Sequence, residues 1–242
     1  MTVSPSCKVR FLFKPKVSAP TAVVGSPGLR SIGKLALNLL REQLQPKLWA
    51  ELYSPSFPAV HQTRPSYASQ PSLPGWAGGL LEGKALSLPR VKFFLTSAPT
   101  PLVVVEGYHA NFQGQYEVAE RVVELLGELG VKRMYVLAGY GLEGAEVACA
   151  ATSLNLLEEA KKFGLEPGYE GPFMGFSGLV FGLGMLKGIE GLCLFGKTQP
   201  DPAEPENPDP QAAAAVVRKL DAILNLRLDS SRLMGEGKEG RN

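Results

Sequence analysis

The chain has 242 residues, 45% of them hydrophobic and 20% charged, which are ordinary values for a globular protein. Its formal net charge of +2 is too small to favour nucleic acid or an anionic membrane as a partner. The N-terminal segment lacks the apolar region of a signal peptide, and the longest uncharged run of mainly apolar character, residues 171–186, is shorter than the ~20 residues that cross a bilayer. The cysteines, Cys7, Cys149 and Cys193, form no CxxC pair and predict reduced core residues. We therefore expect a cytoplasmic protein without nucleic-acid or membrane partners.

The first third of the chain alternates between strand and helix patterns. We predict strands over residues 8–13, 19–25 and 48–53 and an amphipathic helix over residues 28–44. Residues 61–83 are rich in Pro, Ser and Gly and lack periodicity, which indicates a surface loop inserted into the domain. Residues 85–88 and 91–96, separated by Pro89 and Arg90, resemble an edge hairpin.

A strand–helix–strand unit occupies the middle of the chain. Residues 102–105 form a short apolar run rich in β-branched side chains, which predicts a fully buried strand. Apolar residues then recur at helical spacing over residues 118–129, and Gly130 stands where a left-handed C-terminal cap is expected. A second apolar strand, over residues 134–138, ends in Gly139, Tyr140 and Gly141. Such a unit predicts parallel strands joined by a right-handed crossover, and so an α/β protein with helices on both faces of its sheet.

The last third continues the alternation. We predict strands over residues 147–151 and 191–195 and helices over residues 153–162, 179–186 and 210–224. Ser153 and Asp209 are the expected N-caps, and Pro210 occupies a first helical position that tolerates proline. Because no linker interrupts the pattern, we expect residues 1–233 to form one domain and residues 234–242 to be a disordered tail.

Three glycine-rich motifs suggest nucleotide or serine chemistry, and each is incomplete. Residues 28–34 spell GxxxxGK, but Leu35 stands where a P-loop needs Ser or Thr for magnesium, so a tight strand-to-helix turn is the better interpretation. Residues 139–144 match GxGxxG but precede a strand pattern instead of the helix that binds a dinucleotide. Residues 175–179 approach GxSxG without its last glycine, and we expect Ser177 to be a helix N-cap.

Polar residues cluster where the predicted central strands end, the edge at which open α/β sheets bind ligands. The candidate ligand-binding residues are Gly25, Pro27, Gly28, Glu106, Tyr108, His109, Gln115, Tyr116, Gly139 and Tyr140. An acid and an imidazole so placed, Glu106 and His109, are suited to general acid–base chemistry. The alternative, which we favour, is that these groups cap the following helix and contact another subunit. No spacing of His, Cys, Asp and Glu indicates a metal site, and no catalytic residue is assigned.

Four segments resemble the proteasome assembly chaperone family, in particular the archaeal and prokaryotic homologues of chaperone subunit two. They are AVVGSPGLRSIGKLALNLL from residue 22, YSPSFP from residue 53, GQYEVAERVVELLGELGVKRMYVLAGYG from residue 114, and GPFMGFSGLVFGLGMLKGIEGLCLFGKTQP from residue 171 with DPQAAAAVVRKL from residue 209. The order and spacing of all four carry the resemblance.

The resemblance implies a three-layer α/β/α sandwich with a mostly parallel central sheet, similar to that of purine nucleoside phosphorylases. It also implies a homo-oligomer that helps proteasome α-subunits to assemble, with no catalytic site and no cofactor. Such a role needs an exposed partner surface, and the long loops at residues 61–83 and 197–208 are the candidates.

Some members of the family dock through a C-terminal hydrophobic-Tyr-any tail. Because the sequence finishes with Gly240, Arg241 and Asn242, we do not expect docking by that route. The alternative hypothesis is a small-molecule or nucleotide-binding enzyme that uses the strand edge around Glu106 and His109.

Overall fold

The computed structural model describes residues 7–57, 79–82, 85–109, 111–141, 144–168, 170–199 and 207–235. The predicted loop insertion at residues 61–83 lies outside the described residues except for 79–82. Of the predicted tail at residues 234–242, only the first two residues are described, and they belong to a short helix. Most of the acidic loop at residues 197–208 also lies outside them.

Strands and helices alternate along the described residues. In chain order they are β1 (Lys8–Phe11), β2 (Thr21–Gly25), a 3-10 turn (Leu29–Ser31), α1 (Ile32–Leu44), β3 (Lys47–Tyr53), β4 (Leu80–Glu82), β5 (Ala85–Ser87), β6 (Val91–Thr96), β7 (Leu102–Glu106), α2 (Gln115–Glu128), β8 (Arg133–Tyr140), β9 (Val147–Ala151), α3 (Leu154–Lys161), β10 (Glu166–Pro167), α4 (Gly175–Leu186), β11 (Glu190–Lys197), α5 (Pro210–Leu224) and α6 (Arg232–Gly235).

Nine of these strands form one sheet in the order β1-β3-β6-β7-β2-β8-β11-β9-β10. The four central strands, β7, β2, β8 and β11, are parallel to one another. Strands β6, β3 and β1 extend one side of the sheet with antiparallel pairing, and β9 is antiparallel to β11 on the other side. The predicted α/β/α class is confirmed, and the parallel pairing is concentrated where the strand–helix–strand unit predicted it.

Two hydrophobic clusters lie on the two faces of the sheet. Helices α2 and α4 cover one face, where Val122 and Phe176 are fully buried. Helices α1, α3 and α5 cover the other face, where Leu37 and Val216 are fully buried. Each such side chain stabilises the fold by roughly 1.5–3 kcal/mol on burial. The sheet and its two helical coverings are the three layers that the family resemblance implied.

The local signals of helix ends are confirmed. The Ser153 side chain accepts a hydrogen bond from the backbone N–H of Leu156 at 3.2 Å, and Asp209 accepts one from Ala212 at 2.9 Å. Gly130 follows α2 with a left-handed φ of 78°. These signals are predictable because each depends only on residues within one turn of the helix.

Two predictions about local structure are wrong. Residues 91–96 are not half of an edge hairpin, because β6 lies inside the main sheet between β3 and β7, while β5 pairs with β4. Side chains on both faces of β6, including Phe93 and Phe94, are buried, which is typical of an internal strand. Ser177 is not the N-cap of α4, because that helix begins at Gly175 and its N-cap is Met174.

Candidate functional site

The carboxyl ends of β2, β7 and β8 meet at one edge of the sheet. In the parallel register Gly25 is paired with Glu106 on one side and with Leu137 on the other. The turns that leave these strands therefore lie side by side, as the sequence predicted for the candidate ligand-binding residues. Two cavities open at this edge.

The first, which we call the Glu106 cavity, has a volume of about 50 Å³. Its lining includes four of the predicted residues, Gly25, Pro27, Glu106 and Tyr108. Burial raises the pKa of Tyr108 to about 12, because the phenolate is disfavoured away from water.

Glu106 is held by two cations in this cavity. Its carboxylate lies 2.5 Å from Arg41 Nη1 and 3.3 Å from Lys92 Nζ. The Arg41 guanidinium also stacks over the ring of Phe94, 4.3 Å from the ring centroid. A carboxylate fixed between an arginine and a lysine has its charge balanced within the chain, which favours a structural role over that of a general base.

His109 does not line either cavity. It is 2% exposed, and its Nδ1 atom accepts a hydrogen bond from the backbone N–H of Asn111 at 3.0 Å. Its ring lies beside Tyr108 and Phe112, with centroids 6.4 and 6.5 Å away. The structure therefore places His109 in an aromatic core, whereas Glu106 lines a cavity.

The other predicted residues of this turn start helix α2. Gly114 is the N-cap with a left-handed φ of 80°, and the helix begins at Gln115. Tyr116 is 52% exposed, and neither it nor Gln115 lines the Glu106 cavity or the second cavity at this edge. Gln115 and Tyr116 therefore lie in the first turn of α2. The expectation that these polar groups cap the helix is wrong at its N-cap, because that position is a glycine and no side-chain capping hydrogen bond is made there.

The second cavity, which we call the serine cavity, has a volume of about 210 Å³. Among its lining residues are Gly28, Gly139 and Tyr140 from the predicted set. It also contains Ser26 and Ser177, whose hydroxyl oxygens lie 3.0 Å apart. Sequence reasoning missed this pair, since the two serines are separated by 151 positions and only the fold brings them together.

The glycine-rich motifs serve close packing. A Cβ atom on Gly33 would overlap the carbonyl oxygen of Leu137, and one on Gly139 would come within 2.6 Å of Ile32 Cδ1. The start of α1 therefore lies directly against β8. After residues 139–144 the chain enters strand β9, as predicted, so the helix that a dinucleotide needs is missing there.

The three-layer fold places the chain among the α/β/α sandwich proteins, and its sheet edge is lined by glycine residues. The model of the PAC2 family matches residues 22–241, and the chain belongs to the PAC2 family. The resemblance to the proteasome assembly chaperone family is thereby confirmed.

Similar proteins are found in archaea. The chain is 27% identical over 223 residues to MJ1210, an uncharacterised protein of Methanocaldococcus jannaschii, a match that covers 89% of this chain and 78% of the relative. Pyrococcus furiosus PbaB, an archaeal proteasome activator, has a similar structure with a TM-score of 0.80, 26% identity, and coverage of 98% of this chain and 96% of PbaB. Pyrococcus furiosus PbaA, an archaeal homologue of proteasome-assembly chaperone, shows the same fold with a TM-score of 0.72, 22% identity, and coverage of 95% and 87%.

No helix among the described residues is long and apolar enough to span a bilayer. Within the same residues, no group of three or more His, Cys, Asp or Glu side chains is arranged to hold a metal ion.

Proposed function

We propose that this chain is a non-catalytic protein of the proteasome-assembly-chaperone type, acting in the cytoplasm as a homo-oligomer that binds proteasome α-subunits or similar partners. Membership of the PAC2 family and the likeness to PbaB, an archaeal proteasome activator, support a role with the proteasome. A role in assembly depends on surfaces that contact other chains more than on a catalytic cleft.

The observation that carries the proposal is the outer side of helix α4. Residues 171–186 contain no charged side chain, yet Met185 is 49% exposed and Leu186 is 74% exposed. Leu179 and Gly182 are half-exposed. Gly182 follows Leu179 by three positions and precedes Leu186 by four, so all three lie on the same side of the helix. We call Leu179, Gly182, Met185 and Leu186 the α4 surface.

An uncharged helix of this kind is expected to be covered on all sides. Among the described residues, those that cover α4 belong to the sheet and α2 and lie on its inner side, where Phe176 and Val180 are buried. A second copy of the chain is a suitable cover, because the α4 surface carries no charge that would repel an identical surface. We infer that copies of the chain associate through α4.

Native mass spectrometry of the full chain tests this proposal. We expect an oligomer for the natural sequence and a shift towards the monomer for Leu186→Glu, which introduces a charge into the α4 surface. Leu154→Glu is the matched control, since Leu154 is 80% exposed on α3 at the opposite face of the sheet. A monomeric natural chain, or equal assembly of Leu186→Glu and the natural chain, would contradict association through α4.

Capture of the proteasome α-subunits of the source organism at low salt tests the partner. We expect the natural chain to retain them and the Leu186→Glu monomer to retain less. Absence of any retained α-subunit would contradict the assembly role, whatever the oligomeric state.

The alternative of an enzyme that uses Glu106 and His109 has less support. The charge of the Glu106 carboxylate is balanced by ion pairs with Arg41 and Lys92, and His109 is packed into the aromatic core beside Phe112. If Glu106→Gln or His109→Gln abolished an activity of the folded protein, the non-catalytic proposal would fail.

A further inference from the structure

Two buried hydroxyl groups line the serine cavity. Ser26 is 5% exposed and Ser177 is 7% exposed, and their oxygen atoms are hydrogen-bonded to each other at 3.0 Å. Two hydroxyls carry two hydrogen atoms, and the bond between them uses one. Among the described residues neither side chain makes another hydrogen bond, so one buried O–H group has no acceptor within this part of the chain. Because both serines line the cavity, this O–H group is available to donate to an oxygen atom of a ligand there.

Two long helices begin at the same cavity. Helix α1, of 13 residues, and helix α4, of 12 residues, contribute Gly33 and Ser177 from their first turns to its lining. Neither helix has a side-chain cap, since the N-cap residues Ser31 and Met174 make no capping hydrogen bond. The Ile32 N–H at the start of α1 donates to the Leu29 carbonyl, and the other N–H groups of the two first turns, with the positive ends of both helix dipoles, favour a negatively charged group between them.

No charged side chain is among the described residues that line the serine cavity, so no Asp or Glu carboxylate there would repel an anion. Lys34, in the first turn of α1, lines the adjoining Glu106 cavity, and Ser26 is shared by both cavities. Within the described part of the chain, Lys34 is half-buried and forms no ion pair, whereas Arg41 and Lys92 both pair with Glu106.

The remaining walls are apolar. They include Leu29, Leu137, Tyr140, Phe173 and Phe195. The rings of Phe173 and Phe195 meet edge to face at 4.9 Å, which forms a rigid apolar surface. A volume of about 210 Å³ is smaller than most drug-sized sites, so the ligand is expected to be small.

We propose that the serine cavity binds a small organic oxyanion, a carboxylate or a phosphate monoester. The anionic head is bound by Ser26, Ser177 and the first turns of α1 and α4, and the apolar body lies against Phe173 and Tyr140. This site goes beyond the proposed assembly role and does not depend on it.

Calorimetric titration of the full chain with four probes tests the site. Phenyl phosphate, benzoate and inorganic phosphate carry the anion, and benzyl alcohol is the neutral control. We expect phenyl phosphate or benzoate to bind at one site per chain and at least about tenfold more tightly than benzyl alcohol. The relative affinities of phenyl phosphate and benzoate distinguish a phosphate site from a carboxylate site. The affinity for inorganic phosphate measures the contribution of the anionic group without an apolar body. Equal affinity for benzyl alcohol, or no saturation by any anion below about 10 mM, would overturn the proposal.

A variant of the serine pair locates the binding. We expect the double replacement Ser26→Ala with Ser177→Ala to weaken binding of the anionic probe by about tenfold or more. Ser97→Ala, at an exposed serine before β7, is the matched control and should leave the affinity unchanged. Unchanged affinity in the double variant would overturn the assignment.

A further measurement uses the natural sequence, so it does not depend on whether a variant folds. In amide NMR spectra, the anionic probe should shift the Gly33 and Ser177 signals most, because these residues line the cavity in the first turns of α1 and α4. Shifts centred elsewhere on the chain would overturn the proposal even if the double variant failed to fold.

Discussion

Asp209 is joined to Arg30 by both backbone and side chain. The Asp209 N–H donates to the Arg30 carbonyl at 2.9 Å, and Arg30 Nη1 lies 3.3 Å from Asp209 Oδ2. The same carboxylate caps α5 through the N–H of Ala212. Arg30 precedes α1 in a left-handed conformation, with φ of 45°. One carboxylate therefore ties the start of α1, which borders the serine cavity, to the start of α5.

Replacement of this carboxylate should destabilise the fold. We expect Asp209→Ala to lower the free energy of unfolding by about 2 kcal/mol, about half from the lost helix cap and half from the lost side-chain hydrogen bonds that Oδ2 accepts from Arg30 and Thr198. Asp209→Asn keeps an oxygen for the cap and should cost about half as much. Urea unfolding measures both, and an equal loss in the two variants would show that the cap contributes nothing.

Gly33 should tolerate no larger side chain. Because a Cβ atom there would overlap the Leu137 carbonyl oxygen, we expect Gly33→Ala to lower the free energy of unfolding by about 2 kcal/mol or more. Gly127→Ala is the control within α2, where a Cβ atom meets nothing within 4 Å and should stabilise the helix by up to about 1 kcal/mol. A neutral Gly33→Ala would contradict the close approach of α1 to β8.

The variant Gly182→Ala should affect the stability of the single chain and the assembly of the oligomer in opposite directions. A Cβ atom at Gly182 meets nothing within 4 Å, so Gly182→Ala should stabilise the dissociated chain by about 1 kcal/mol through helix propensity. If a second copy packs closely on the α4 surface, the same methyl group should weaken the oligomer. Thermal unfolding of the dilute chain and sedimentation at higher concentration measure the two effects. A gain in stability with unchanged assembly would place the interface elsewhere.

Alkaline pH should weaken the fold through Cys149. Burial raises the pKa of this thiol from 9.0 to about 11, so the folded chain holds the proton more tightly than the unfolded chain does. The stabilisation is complete below pH 9 and is lost as the pH rises towards 11, by up to about 2–3 kcal/mol. Urea unfolding between pH 8 and pH 11 measures the decline, which should be shallower in Cys149→Ala. An identical decline in that variant would assign the effect to other groups.

Local features were predictable from the sequence because their causes lie within a few residues. Ser153 and Asp209 were recognised as caps, and residues 102–105 as a buried strand, since capping and periodicity involve neighbours in the chain. The location of β6 was mispredicted because it depends on pairing with strands that the local pattern does not specify. A run of six residues does not reveal which strands will flank it, and the break at Pro89 suggested a hairpin that the sheet does not contain.

The amino-acid sequence by itself determined the α/β class, the edge of the sheet where the candidate residues gather, and the family. Only the tertiary structure decided which of those residues lie together. It separated His109 from the cavity that Glu106 lines, exposed one side of α4, and joined Ser26 to Ser177 across 151 positions. The physical reason is that helix and strand patterns arise from neighbouring residues, whereas a cavity is formed by side chains from strands and helices that are distant in sequence.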